Sequence, residues 1–152
     1  MHLGHLLSTT DTNKLLVEDS AKNLNSCFHS FISRFGKCNT TTKNKLIHQC
    51  CASMYGSQLW DLTSSAFTDI CTNWRKAHMI ALSAPYNTHC DILPLIANNR
   101  PMDMIIDCKF MNFLKTIIYS ENKIVRYRVL NRLNDFRSTI RKNVIHLVAK
   151  SI

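Results

Sequence analysis

From Lys14 onward the apolar residues recur at intervals of three and four, the spacing of one helical face, and no alternating strand pattern follows about Leu7. Leu24, Phe28, Phe31 and Phe35 share a face of the first predicted helix, with Asp11 or Thr12 available as its cap and Gly36 as its stop. The second is expected from about Lys43 to Tyr55, with Ile47, Cys50, Cys51 and Met54 as its stripe and Gly56 as its end. A third begins near Ser65, carries Asp69 in its early turns, and buries Phe67, Ile70, Cys71 and Trp74. Pro85 marks the loop after it.

Thr88 and Asp91 have capping-box spacing ahead of Ile92 and Leu93, but Pro94 curtails what they start, so that helix is expected to be short. Pro101 suits a first helical position, and Ile106, Phe110, Phe113 and Ile117 carry the next helix to about Ser120. Two shorter helices follow. Val125, Val129 and Leu133 are expected to hold the first to the core, with Arg126 intruding, and Ile140, Val144, Leu147 and Val148 to hold the last. The fold expected is all-α: an irregular bundle of about six or seven helices, preceded by a short extended N-terminal segment.

The chain has 152 residues, 45% of them hydrophobic, with three glycines and three prolines, and shows no repeat or flexible linker. That fits one globular domain with a core of its own. Nineteen Lys and Arg against ten Asp and Glu leave a charge of +9, which attracts any large polyanion before specific contacts form. No apolar run approaches the roughly 18 residues of a membrane span, and the first residues lack a signal-peptide pattern, so an intracellular protein without a membrane partner is expected. The seven cysteines include no CxxC, which argues against a disulfide framework or zinc ribbon and for reduced, half-buried thiols.

Positive charge concentrates toward the C-terminus: Lys123, Arg126, Arg128, Arg132, Arg137, Arg141, Lys142 and Lys150 face only Glu121 and Asp135. Arg128 and Arg132 are four apart, as are Arg137 and Arg141, so each pair can present two guanidinium forks on neighbouring turns. Such a surface follows phosphates; the alternative is a merely solvated face. Catalytic patterns are thin. GxxxxGK, GxGxxG, HExxH and GxSxG are absent. His48 and Cys51 could supply two zinc ligands but need two more, and Cys71 and His78 are about 10 Å apart along a helix. Asp103 and Asp107 lie one turn apart, too few for paired cations, and read as a helix-dipole acid beside a solvated neighbour. Trp74, followed by Arg75 and Lys76, could stack a base or, lying on the Phe67 stripe, pack in the core.

The opening "MHLGHLLSTTDTNK", the run "YGSQLWD" at Tyr55 to Asp61, and above all "CTNWRKAHMIALSAPYNTHCDILPLI" at Cys71 to Ile96 resemble the downstream part of a non-LTR retrotransposon reverse transcriptase. The resemblance spans His2 to about Arg126, and its most specific part is Trp74-Arg75-Lys76 with Leu82, Pro85, Thr88, His89 and Leu93 in order. It implies that residues 1–10 are a remnant of the palm's primer-grip hairpin, with His2, Leu3 and Gly4 at the grip, and that residues 11–152 are a helical thumb and connector. Gly4 would let a backbone approach phosphate closely. It implies further that Met1 falls inside the reading frame of a longer polymerase whose palm and fingers are missing here. An RNA or DNA template-primer would be the partner, gripped through Lys43, Lys45, Arg75, Lys76, Arg126, Arg128 and Arg132. The full-length enzyme of that family uses Mg2+, but its Tyr/Phe-x-Asp-Asp ligands lie upstream and this chain has no Asp-Asp. The isolated chain is therefore expected to need no cofactor and to have no catalytic residue or polymerase activity. The rival expectations are a basic helical protein-interaction module and a relict reading frame.

Overall fold

Helix α1 (Thr12–Phe35) lies against α3 (Ser65–Leu82), and the core grows from that contact. The computed structural model describes residues 12–52, 54–85, 87–89 and 92–151; Asp11 and the grip-like His2, Leu3 and Gly4 lie outside them. α1 buries Val17, Leu24, Phe28 and Phe31, the three-and-four spacing of one face. Phe35 belongs to the same stripe but is 42% exposed, its ring stacked 5.4 Å from that of Phe31 at the frayed end of the contact. The helix stops at Gly36, where a Cβ would come within 2.6 Å of the Ile32 carbonyl oxygen.

α2 (Thr40–Cys51) starts and ends earlier than its apolar pattern suggests. Asn39 is the reason at the start: its side-chain oxygen accepts from the Thr42 N–H at 2.8 Å, capping donors that have no partner within the helix. Cys50, expected in the stripe, is exposed, and Asn44 takes a buried place beside Ile47 and Cys51. Met54 is buried from the loop that follows. Gly56, at φ 76°, turns the chain into a short 3₁₀ turn (Ser57–Leu59), which delivers Trp60 and Leu62 into the core.

The Ser64 hydroxyl accepts from the Phe67 N–H and starts α3, whose face buries Phe67, Ile70, Cys71 and Trp74 as the pattern requires, with Ala77, His78 and Ala81 continuing it. α4 (Ile92–Ala97) is six residues long and contains Pro94. Thr88 closes the preceding loop by donating to the Pro85 carbonyl at 2.7 Å; Asp91, its expected capping partner, is outside the described residues. In α5 (Met102–Ile118), Pro101 serves as the cap and Met102, Ile106, Phe110, Leu114 and Ile117 are buried. α5 packs over the 3₁₀ turn, and Lys109 donates to the Ala52 carbonyl at 3.2 Å.

The last two helices depart from expectation. α6 (Lys123–Asn134) has no buried residue: Val125 is 40% exposed, and Val129 and Leu133 are only partly covered. In α7 (Thr139–Lys150), Ile140, Val144 and Leu147 are partly covered and Val148 faces solvent, while Asn143 is 1% exposed. Its amide accepts from the Leu62 N–H (3.0 Å) and donates to the Trp60 carbonyl (2.7 Å), so α7 docks by pairing loop backbone that has no helical partner. Every regular element among the described residues is helical, as an all-α fold requires.

Candidate nucleic-acid interface

α6 is held at its ends and bare along its body. Asn122 accepts from the Ile124 and Val125 N–H groups at 3.0 and 3.3 Å, satisfying orphan donors of the first turn. Arg141 reaches back from α7 to donate to the Leu133 and Asn134 carbonyls at 3.5 and 3.2 Å, its guanidinium 3.8 Å over the Phe136 ring. These contacts compensate for the helix's meagre burial. They also correct a sequence expectation: Arg137 sits in the turn before α7, Arg141 is spent on capping, and the two form no paired fork.

At about 100° per residue, Arg128 and Arg132 fall roughly 40° apart on one flank of α6, whereas Arg126 lies on the other flank nearer Lys123. Between the flanks runs a ridge of Ile124 and Tyr127, 73% and 65% exposed. Lys123, Ile124, Arg126, Tyr127, Arg128 and Leu130 line one open depression. Arg132 stands 3.6 Å from Asp135; Lys123, Arg126 and Arg128 have no carboxylate within ion-pair distance among the described residues.

The other four expected phosphate ligands sit elsewhere, on α2 and α3. Lys45, Arg75 and Lys76 are exposed and Lys43 is half-buried. Arg75 shares a crevice with Arg100, which the sequence pattern passed over because it stands in a loop just before Pro101. Asn99 ties that loop to the first turns of α2 through the Asn44 carbonyl at 3.2 Å, close to Lys43. Trp74 is no stacking platform: it is 2% exposed, edge-on to His78 at 4.7 Å and His48 at 6.4 Å. The seven residues thus stand on two supports, α2 with α3 and the outlying α6, which packs on α5 and α7.

Several groups drop out as chemistry. Lys150 donates to Asp103 at 2.7 Å and Asp107 at 2.9 Å, so neither carboxylate is a solvated bystander and Lys150 is withdrawn from any anion surface. Burial pushes the Asp103 carboxyl up, but the Lys150 hydrogen bond and charge outweigh it and leave it below the usual carboxylate range. Lys150 already takes the face that the two carboxylates share, and no group of three or more His, Cys, Asp or Glu suited to a metal occurs among the described residues. Burial, with Asp103 nearby, pushes the Cys71 thiol up to about 12, and burial with His48 pushes His78 down to about 4; a thiol and an imidazole so displaced are neither nucleophile nor ready cation at neutral pH.

What fold and surface define is a class: an all-α protein with a capped, exposed basic helix carried outside its core. No family model, no curated protein and no solved structure matches the chain. No helix among the described residues is long and apolar enough to cross a membrane.

Proposed function

We propose that this chain binds nucleic acid by its phosphate backbone, as the thumb and connector of a non-LTR retrotransposon reverse transcriptase would grip a template-primer, and that it does no polymerase chemistry by itself. The observation that carries the reading is α6: a helix with no buried residue that holds Lys123, Arg126, Arg128 and Arg132 in solvent, of which only Arg132 is ion-paired, with Asp135, among the described residues. In a chain of net charge +9, such cations concentrate polyanions and release counterions on binding. Arg75 and Arg100 form a second cationic point. Because the flanks of α6 diverge, the contacts suit phosphates along a groove and carry no base sequence.

The test is a salt titration of the full chain on a fluorescent RNA–DNA duplex. Binding is expected to fall linearly on a log-log plot, by about 0.9 per phosphate neutralised on a B-form duplex and somewhat differently on a hybrid. Arg128→Gln with Arg132→Gln should flatten the slope by one to two such increments, about 1 to 2 units, while Tm stays unchanged. Affinity indifferent to salt, or variants identical to the parent, would sink the proposal. Primer extension with Mg2+ present should show no incorporation.

A second reading, a protein-interaction module, is favoured by one observation: Ile124, Tyr127, Leu130 and Phe136 are all large, apolar and exposed on or just after the same helix. It predicts that Tyr127→Ser with Leu130→Ser abolishes binding to a protein partner while nucleic acid is ignored by parent and variant alike.

A further inference from the structure

Three cysteines meet where α1 crosses the end of α2. The Cys51 thiol donates to the Cys27 sulfur at 3.5 Å, and the Cys27 thiol donates to the Cys50 carbonyl at the same distance. Cys51 is buried, Cys27 half-buried and Cys50 exposed. All three line a cavity of about 310 Å³ that also reaches Asp19, Tyr55 and Trp60. Two sulfurs in van der Waals contact on different helices, with solvent access to one of them, are an arrangement that cysteines buried only as small apolar residues have no need of.

We propose that Cys27 and Cys51 form a reversible redox site, closed to a disulfide by hydroperoxides. The inference stands apart from the nucleic-acid reading and survives its failure. Cys27, open to the cavity, is the sulfur that meets oxidant. Its thiolate attacks the terminal oxygen of the hydroperoxide; the O–O bond breaks, an alkoxide or hydroxide leaves, and Cys27 becomes a sulfenic acid. The Cys51 sulfur then attacks the Cys27 sulfur. The S–S bond forms, the S–O bond breaks, and water departs with the proton that Cys51 gives up. The thiols lose two electrons and the hydroperoxide gains them. Closing the sulfurs from contact to a bond of about 2 Å needs roughly 1.5 Å of approach, which rotations at two Cβ atoms and a small shift of α2's last turn can share.

Contact with the Cys27 sulfur at 3.5 Å assigns Cys51 to the second step, and its protonation keeps it from the first. Burial, followed by its hydrogen bond to Cys27, pushes its thiol up to about 12, so it stays protonated until a sulfenic acid stands against it. Cys50, the neighbour in sequence, is exposed at the rim of the cavity and meets Cys27 through its carbonyl instead of its sulfur. The bond would pin α1 to the C-terminal end of α2, closing the connection through residues 36–39 into a covalent loop.

The full chain, reduced and freed of reductant, would be treated with one equivalent of hydrogen peroxide, blocked with N-ethylmaleimide, and read by intact mass and by peptide mapping without reduction. Two fewer maleimide adducts than on the reduced chain blocked after unfolding, a peptide joining Cys27 to Cys51, restoration by dithiothreitol and a rise of several degrees in Tm are expected. Cys50→Ser should give the same cross-link at the same rate; Cys27→Ser should give none. A cross-link through Cys50 in the parent, or oxidation of Cys27 to a sulfinic acid with Cys51 still alkylatable after unfolding, would overturn the proposal. The parent's own peptide map decides even if a serine variant does not fold.

Discussion

His78 sits between Trp74 and the crevice under α4, 4% exposed, and neither ring nitrogen has a hydrogen-bond partner among the described residues. Its folded pKa of about 4 lies below its ordinary 6.5, so as pH falls the unfolded chain takes up a proton first. The contribution is therefore complete above pH 6.5, drains away between 6.5 and about 4, and is level below that. The whole loss is on the order of 3 kcal/mol, from about 1.4 kcal/mol per unit. Urea melts of the parent and of His78→Leu across that range should show the slope in the first and not in the second. Asn143 is the other residue whose weight is out of proportion to its size. Replacement by Ala leaves the Leu62 N–H and the Trp60 carbonyl buried without partners, and a loss of about 3 kcal/mol is expected in the same denaturation measurement. Neither role shows in a hydrophobic pattern, because an asparagine inside an apolar stripe counts there as an interruption and a histidine as a polar residue.

At the level of elements, helical periodicity located α1, α3 and α5 and most of their buried faces, missing at Phe35, which is exposed, and at Phe113, whose expected place in the α5 face Leu114 takes; the three together form most of the core. It went astray where an apolar stripe meets too little. Val125, Val129 and Leu133 are spaced like a core face, yet α6 touches α5 and α7 too shallowly to bury any of them, and spacing alone does not report how much lies opposite. The cationic set was legible as charge, and the split of Arg126 from Arg128 follows from helical periodicity, but Arg141 folded back onto a helix end and Arg100 beside Arg75 follow from tertiary contacts. Because α6 depends on its caps, Asn122→Ala should remove about 1 kcal/mol from that helix alone. Hydrogen exchange of α6 amides is expected to quicken about fivefold while global Tm stays within error, since no buried face of α6 transmits the loss.

For the molecule as a whole, Lys150 with Asp103 and Asp107 is the ion-pair clasp among the described residues that joins separate helices, α7 to α5, while Lys14–Glu18 and Arg132–Asp135 are local pairs. Asp103 is held below its ordinary 3.8, so its contribution is present above that value and is lost as pH falls further. Burial lowers the Lys150 pKa, but the two aspartates outweigh it and hold it above 10.5; that contribution is present below 10.5 and is lost as pH rises past it. The stability difference between the parent and Lys150→Met should therefore be a plateau from about pH 4 to 10.5 with a decline at each edge, read from urea midpoints. A difference that persists at the acid edge would show that the charge of Asp103 contributes nothing to it. The clasp has a mechanical side as well. Lys150 stands in the last turn of α7 and Asn143 in its early turns, so tension delivered from beyond the helix meets them one after the other. The two attachments lie in series along α7, so a pull on its C-terminal end loads the Lys150 clasp before the Asn143 pairing, as a strap is peeled.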